Sequence, residues 1–134
     1  MDINIENIFI DNFIRRPFRK RLMFELSGKK RYDGIGRFCH EADEILNLRY
    51  AYKVGKDIYH AELKKYLTEN NYRFNNNCYY FDAYCGEYLD LEEAIDRSMS
   101  NMSASIILFG DRIAFIKSET DYGAPMKYLL IKNQ

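Results

Sequence analysis

Three apolar runs crowded into residues 104–131 limit what this chain can fold into. Residues 104–109 (Ala-Ser-Ile-Ile-Leu-Phe) and 112–117 (Arg-Ile-Ala-Phe-Ile-Lys) are split only by Gly110 and Asp111. A third run, 128–131 (Tyr-Leu-Leu-Ile), follows a loop that holds Gly123 and Pro125. Two apolar runs joined by a Gly/Asp pair predict a β-hairpin, because glycine takes the positive φ of a tight turn without strain. The third run predicts a further strand. Placed at a sheet edge, residues 128–131 would offer unpaired backbone groups to a partner's strand, or to a second copy of the chain in a homodimer.

Upstream the apolar spacing becomes helical. Ile5, Phe9 and Phe13 recur every fourth residue, with Ile8, Ile10 and Ile14 beside them, which predicts a helix over 5–14. Pro17 disfavours the α conformation in the residue before it and suits a helix's first turn, so a second helix should run over 17–27 and stop at Ser27-Gly28. Residues 29–36, basic and then glycine-bearing, read as a flexible loop. Phe38, Ala42, Ile45 and Leu46 predict a helix over 37–47, and alternating Tyr50 and Tyr52 a strand over 48–54. Asp57 is a good N-cap for a helix over 57–67, residues 78–83 suit a strand, and Asp90 with Glu93 three residues on opens a helix over 90–99. Glycine turns are expected at Gly55 and Gly86, each leading into one of these helices. The sum is an α+β domain, with N-terminal helices packed on one side of a mainly antiparallel sheet of about four or five strands that ends in a hairpin plus strand. At 134 residues the whole chain, 1–134, is expected to form a single domain.

Charge narrows the choice of function. The 20 basic and 20 acidic residues cancel, which removes the chain-wide positive footprint of a non-specific DNA binder. The balance is uneven, since residues 1–40 carry nine basic side chains against five acidic ones. A nucleic-acid role would rest on that first third. The three cysteines, Cys39, Cys78 and Cys85, are odd in number and lack paired spacing, unlike a secreted disulfide framework. Residues 1–6 show no signal-peptide pattern, and no run approaches the roughly 18 apolar residues that span a bilayer. A soluble cytoplasmic protein with reduced thiols, not engaged with membranes, is expected.

Chemistry-bearing residues are few. Arg15, Arg16, Arg19, Lys20 and Arg21, with Lys29, Lys30 and Arg31 a loop away, form a basic cluster that would meet phosphates or an acidic protein surface, or stand solvated. Cys39-His40, His60, Cys78 and Cys85 are zinc-type residues at spacings that fit no usual site. Cys39 or Cys85 with a histidine would make a nucleophile only if folding paired them, and neighbours on a helix point about 100° apart. Gly34-Ile-Gly36 lacks the third glycine and preceding strand of a dinucleotide loop. Asp111, Glu119 and Asp121 fit no nuclease pattern, but the loop 119–125 is polar, carries Tyr122 and joins two apolar runs, as binding loops often do.

The leading expectation is therefore a non-enzymatic protein-binding module that occupies a partner's surface, as a small inhibitor or immunity-type protein does. Its partner-binding residues would be Arg15, Arg16, Arg19, Arg21, Glu119, Asp121 and Tyr122. No cofactor, metal or catalytic residue is assigned. The alternatives are a nucleic-acid binder using the N-terminal basic helix, and a small hydrolase with a Cys/His or carboxylate site. The 12 tyrosines are amphipathic enough to serve a binding face or simply to line the rim of a core. Exposed tyrosines sharing one concave surface with the basic cluster would favour the first reading.

Overall fold

The computed structural model describes residues 1–54, 60–69, 77–110, 112–119 and 126–132. Helix α1 (Ile3–Phe13) starts where the Asp2 carboxylate accepts the Ile5 N–H at 3.2 Å, and it buries Phe9, Ile10 and Phe13. Ile14 and Arg15 are extended, and Pro17 sits in the first turn of α2 (Arg16–Leu26), so the proline break falls where the sequence predicts. Residues 29–36 differ from expectation. They run into a helix, α3 (Arg31–His40), despite Gly34 and Gly36. Gly34 is needed there for packing: a Cβ at that position would lie 3.0 Å from Leu26 Cδ2 and 3.1 Å from Glu25 Cβ, so its absence lets α3 close against α2. The helix predicted over 37–47 is in fact the end of α3, a break at Glu41, and a single turn, α4 (Ala42–Ile45).

A 3₁₀ turn (Leu48–Tyr50) leads into β1 (Ala51–Val54), shorter than the predicted strand. Helix α5 spans His60–Glu69, and the predicted cap Asp57 and the turn at Gly55 lie outside the described residues. Strands β2 (Cys78–Asp82) and β3 (Gly86–Leu89) form a hairpin, which places Gly86 in a strand instead of the expected turn. Helix α6 (Leu91–Ser100) is capped by Asp90, whose carboxylate accepts the Glu93 N–H at 2.8 Å. The predicted C-terminal hairpin is β4 (Ser105–Leu108) with β5 (Ile113–Lys117), closed by Phe109 N–H on the Ile113 carbonyl at 2.9 Å. Last comes β6 (Lys127–Ile131).

The sheet has six strands, beyond the four or five expected, in the order β1-β6-β5-β4-β2-β3, and every neighbouring pair is antiparallel. This corrects the placement of residues 128–131. β6 is hydrogen-bonded on both sides, to β1 (Ala51 opposite Leu130) and to β5 (Phe115 opposite Leu129), so it has no free edge for a homodimer to use. The sheet edges are β1 and β3.

Helices also cover both faces of the sheet, where the sequence suggests one. α1–α4 place Phe9, Phe13, Leu22 and Phe38 over Tyr79, Phe81, Ile106, Ile116 and Leu130. α5 and α6 place Leu63, Leu67, Leu91 and Ile95 over Tyr80, Ile107, Phe115 and Leu129. The physical reason is visible in Ile106-Ile107-Leu108, where successive side chains point to opposite faces and all are apolar, the pattern of a strand buried on both sides. No helix among the described residues is long and apolar enough to cross a membrane.

Arg31 ties these layers together. Its guanidinium forms a two-point ion pair with Glu6 (2.6 and 2.9 Å) and donates to the carbonyls of Leu26 (3.0 Å), Asp82 (3.0 Å) and Cys85 (3.2 Å). The Tyr79 hydroxyl adds a hydrogen bond to Glu6 at 2.7 Å, and burial beside that carboxylate pushes its pKa well above the usual phenol range. Gly86 makes room for the group: a Cβ there would lie 2.2 Å from the Tyr79 hydroxyl and 2.8 Å from Glu6 Oε2. Arg31→Met should therefore lose about 3–5 kcal/mol in urea denaturation, since Glu6 would be left buried and uncompensated. Gly86→Ala should lose about 1–3 kcal/mol by overpacking the same group.

Candidate functional site

Helices α2 and α3 lie against each other, clamped by a two-point pair of Arg37 with Glu25 at 2.6 and 2.9 Å. Arg37 also bonds Glu41 at 2.8 Å, while its hydrogen bonds hold the Glu25 carboxyl below the usual range. Beside this clamp a cleft of about 440 Å³ runs along α3. Arg21 and Glu25 of α2, and Tyr32, Gly36, Arg37, Cys39 and His40 of α3, form one wall. Ala83 of the β2–β3 turn, Ser103 and Ala104 ahead of β4, and Glu119 after β5 form the other.

The second wall is held from behind by a buried polar network. Asp82 accepts the N–H groups of Tyr84 and Cys85 at 2.9 Å, which fixes the turn carrying Ala83. Its other oxygen accepts from the Tyr80 hydroxyl (2.8 Å) and from Asn101 Nδ2 (3.1 Å). Burial raises the Asp82 pKa, but these donors outweigh it and leave the carboxyl below its usual range. Asn101 Oδ1 accepts the Ser103 N–H at 2.9 Å. Lys117, almost wholly buried, points its ammonium at the carbonyls of Asn101, Ser103 and Ser118. Burial, with Lys127 opposite it on β6, pushes Lys117 down to about 8, against attraction from Cys39. Glu119 spans the cleft: its N–H donates to Cys39 Sγ at 3.4 Å, and its carboxylate lies 3.2 Å from His40 Nε2.

Two exposed aromatic side chains stand at the cleft: Tyr32, which lines it and is 61% exposed, and Tyr84, which follows the lining residue Ala83 and is 72% exposed. The Tyr32 and Tyr84 rings face one another with centroids 6.1 Å apart.

The structure gathers some of the predicted binding residues here and leaves others elsewhere. Arg21 and Glu119 line the cleft, as does Lys30. Arg15 is exposed and bonds the Glu44 carbonyl at 3.1 Å, and Arg19 bonds the Ile14 carbonyl at 2.8 Å, so both brace the α1–α2 joint. Arg16 is exposed on α2, away from the cleft lining. Arg31 leaves the basic cluster for the buried pin. Asp121 and Tyr122 lie outside the described residues, as does Asp111. Cys39 and His40 share the cleft, yet His40 turns its Nε2 to Glu119. Cys78 is buried on the opposite face of the sheet and Cys85 sits in the β2–β3 turn; burial and the Asp82 charge push the Cys85 thiol up to about 11. Among the described residues no three His, Cys, Asp or Glu side chains gather to hold a metal ion. Sequence reasoning overlooked Tyr32 and Arg37 and read Gly36 as part of a flexible loop. Tyr32, Gly36 and His40 recur every fourth residue, a signal visible only once 31–40 is read as helix.

Comparison with family models, with characterised proteins and with solved structures returns no match for this chain.

Gly36 is a helix-interior glycine whose added Cβ would meet nothing within 4 Å. Gly36→Ala should therefore stabilise the protein by about 0.5–1 kcal/mol, measured by urea denaturation. Lys117 sets a pH dependence. Its folded value of about 8 lies below the ordinary 10.5, so the unfolded chain holds more protons between those values and stability rises with pH there. Cys85 opposes this above its ordinary 9, because the folded thiol keeps its proton up to about 11. Denaturation midpoints should thus climb between about pH 8 and pH 9 and level off above, and Lys117→Met should abolish the climb.

Proposed function

We propose that this chain is a non-catalytic protein-binding module that acts by occupying a partner's surface, as a small inhibitor or immunity-type protein does, working in the cytoplasm with its thiols reduced. The exposed Tyr32–Tyr84 pair at the cleft carries this reading. Exposed apolar groups gathered at a concavity, with polar groups between them, are the make-up of an interaction surface, and aromatic anchors supply most of the binding energy at such surfaces. The Glu25–Arg37 clamp and the Lys117 network support it further. Both hold the walls in place before a partner arrives, which lowers the ordering cost of binding.

One observation favours a nucleic-acid reading instead. Among the described residues Arg16, Lys20 and Lys29 make no ion pair, and all three are exposed. None of the three lines the cleft, so this reading leaves Tyr32 and Tyr84 unused. Hydrolysis by Cys39 draws no support from His40, given the latter's engagement with Glu119.

The test is affinity capture with the immobilised full chain, beside a Tyr32→Ala/Tyr84→Ala variant. A protein species held by the parent and weakened by about 2 kcal/mol or more in the double variant is expected. Failure to retain any protein, or equal retention by both forms, would refute the reading. Retention of nuclease-sensitive material that is lost in Arg16→Glu/Lys20→Glu would transfer the assignment to nucleic acid.

A further inference from the structure

Phe24 is 67% exposed on α2 and stacks on no other ring among the described residues. One exposed phenylalanine is ordinary, but the surroundings of this one are not. At about 100° per residue the outward arc of α2 runs from Arg16 through Lys20, Phe24 and Pro17 to Arg21. All five are exposed, and Phe24 stands near the middle. Lys29 and Lys30, also exposed, continue the arc past the helix end. The one acid between residues 15 and 30, Glu25, is buried and held at two points by Arg37, with Arg21 only at 3.8 Å. Arg16, Lys20, Lys29 and Lys30 make no ion pair among the described residues. The face is an aromatic ring set in positive charge alone.

Its complement lies on the same chain. Past the C-terminal end of α3 a second pocket, of about 190 Å³, has Phe38, Ala42, Met126 and Tyr128 in its apolar wall. That volume is below the roughly 300–1,000 Å³ of small-molecule sites and of the size of one large side chain. Glu41, Asp43 and Glu44 supply the charge around it, and among the described residues no lysine or arginine lines it. Glu41 is bonded to Arg37, and Asp43 accepts the Tyr128 hydroxyl. The Glu44 carboxylate is exposed and makes no ion pair among the described residues, since Arg15 bonds its carbonyl instead.

We infer that the chain associates with a second copy of itself, the α2 face of one copy seated on this acidic pocket of the other. Phe24 fills the apolar pocket, and Arg16 and Lys20 meet Asp43 and Glu44 around it. An aromatic anchor ringed by opposite charge is the make-up of a binding hot spot. A contact of one helix face is small, so the association is weak and depends on concentration and salt. It uses neither Tyr32 nor Tyr84, and it stands apart from the protein-binding reading of the cleft. Face and pocket are different patches, so the contact is heterologous: a copy with its face blocked still offers its pocket.

Sedimentation velocity of the full chain, from micromolar to millimolar at low salt, tests it. The mass should rise above the monomer with concentration and fall back when salt is added. Phe24→Ser, Arg16→Glu/Lys20→Glu and Glu44→Lys alter only exposed side chains, so their melting curves should stay cooperative. Each should weaken association by about tenfold or more. A mixture of Arg16→Glu/Lys20→Glu with Glu44→Lys should associate again, because the first keeps an intact pocket and the second an intact face. A monomer at every concentration would overturn the inference, as would a mixture that stays monomeric. Association that survives all three variants, as exchange of β6 between copies would, overturns it as well. A single-stranded oligonucleotide that dissolves the assembly by binding the parent, and does not bind Arg16→Glu/Lys20→Glu, would assign the face to nucleic acid instead.

Discussion

The ion pair of Arg31 with Glu6 is the contact on which the arrangement of layers depends. A buried guanidinium is tolerable only if its charge and its donors are all met, and here the five N–H groups find five acceptors. Those acceptors belong to α1, to the end of α2, and to both ends of the β2–β3 turn. One side chain thereby fixes where the helical layer sits on the sheet. Because it grips Asp82 and Cys85, on either side of Ala83, it also sets the distance between α3 and the facing wall of the cleft. The opening beside Tyr32 is a by-product of that grip.

Behind the wall the apolar core gives way to a polar row. Asp82, Ser105, Lys117 and Lys127 stand opposite one another across four adjacent strands, all on the α5–α6 face and all buried. Ser98 of α6 closes on Ser105 at 2.7 Å, and Asn101 joins Tyr80 to Asp82. Such a layer is costly unless satisfied, and satisfied it specifies one register, since a one-residue slip would drive Asp82 and Lys117 into the aromatic core of the other face. The row also holds the backbone of Ser103 and Ser118, so the wall of the cleft owes its rigidity to charges on the far side of the sheet.

How much of this could be read beforehand depended on the distance over which each cause acts. The hairpin of β4 and β5, the break at Pro17 and the Asp90 cap are local, written in neighbouring residues, and they stand where the sequence places them. Helix α3 was hidden because two glycines and three cations look like a loop. Its tertiary contacts are not local: Arg31 meets Glu6, 25 residues away, and Gly34 packs against Leu26 and Glu25 of α2. Strand order is similarly non-local: nothing within 128–131 reveals that β1 will pair with its outer side. Of the cleft, Arg21 and Glu119 could be named in advance as polar groups near apolar runs. Tyr32, Gly36 and Arg37 could not, because their common face exists only on a helix. Arg15 and Arg19 shared Arg21's sequence signal but were drawn to nearby carbonyls.

The insertion of β6 between β1 and β5 has a consequence for how the protein comes into being. During synthesis β1 leaves the ribosome early, yet its neighbour in the sheet among the described residues is β6, made more than 70 residues later. Until Leu130 reaches Ala51, the first strand has no ladder to join. The helices α1–α4 and the strands β2–β5 can assemble meanwhile, but the sheet closes only when β6 enters between β5 and β1. Loop-closure entropy makes such distant pairings slow to form. The nascent chain therefore carries an unsealed groove beside β5 until β6 is made, a gap that the β6 of a second chain is equally shaped to fill.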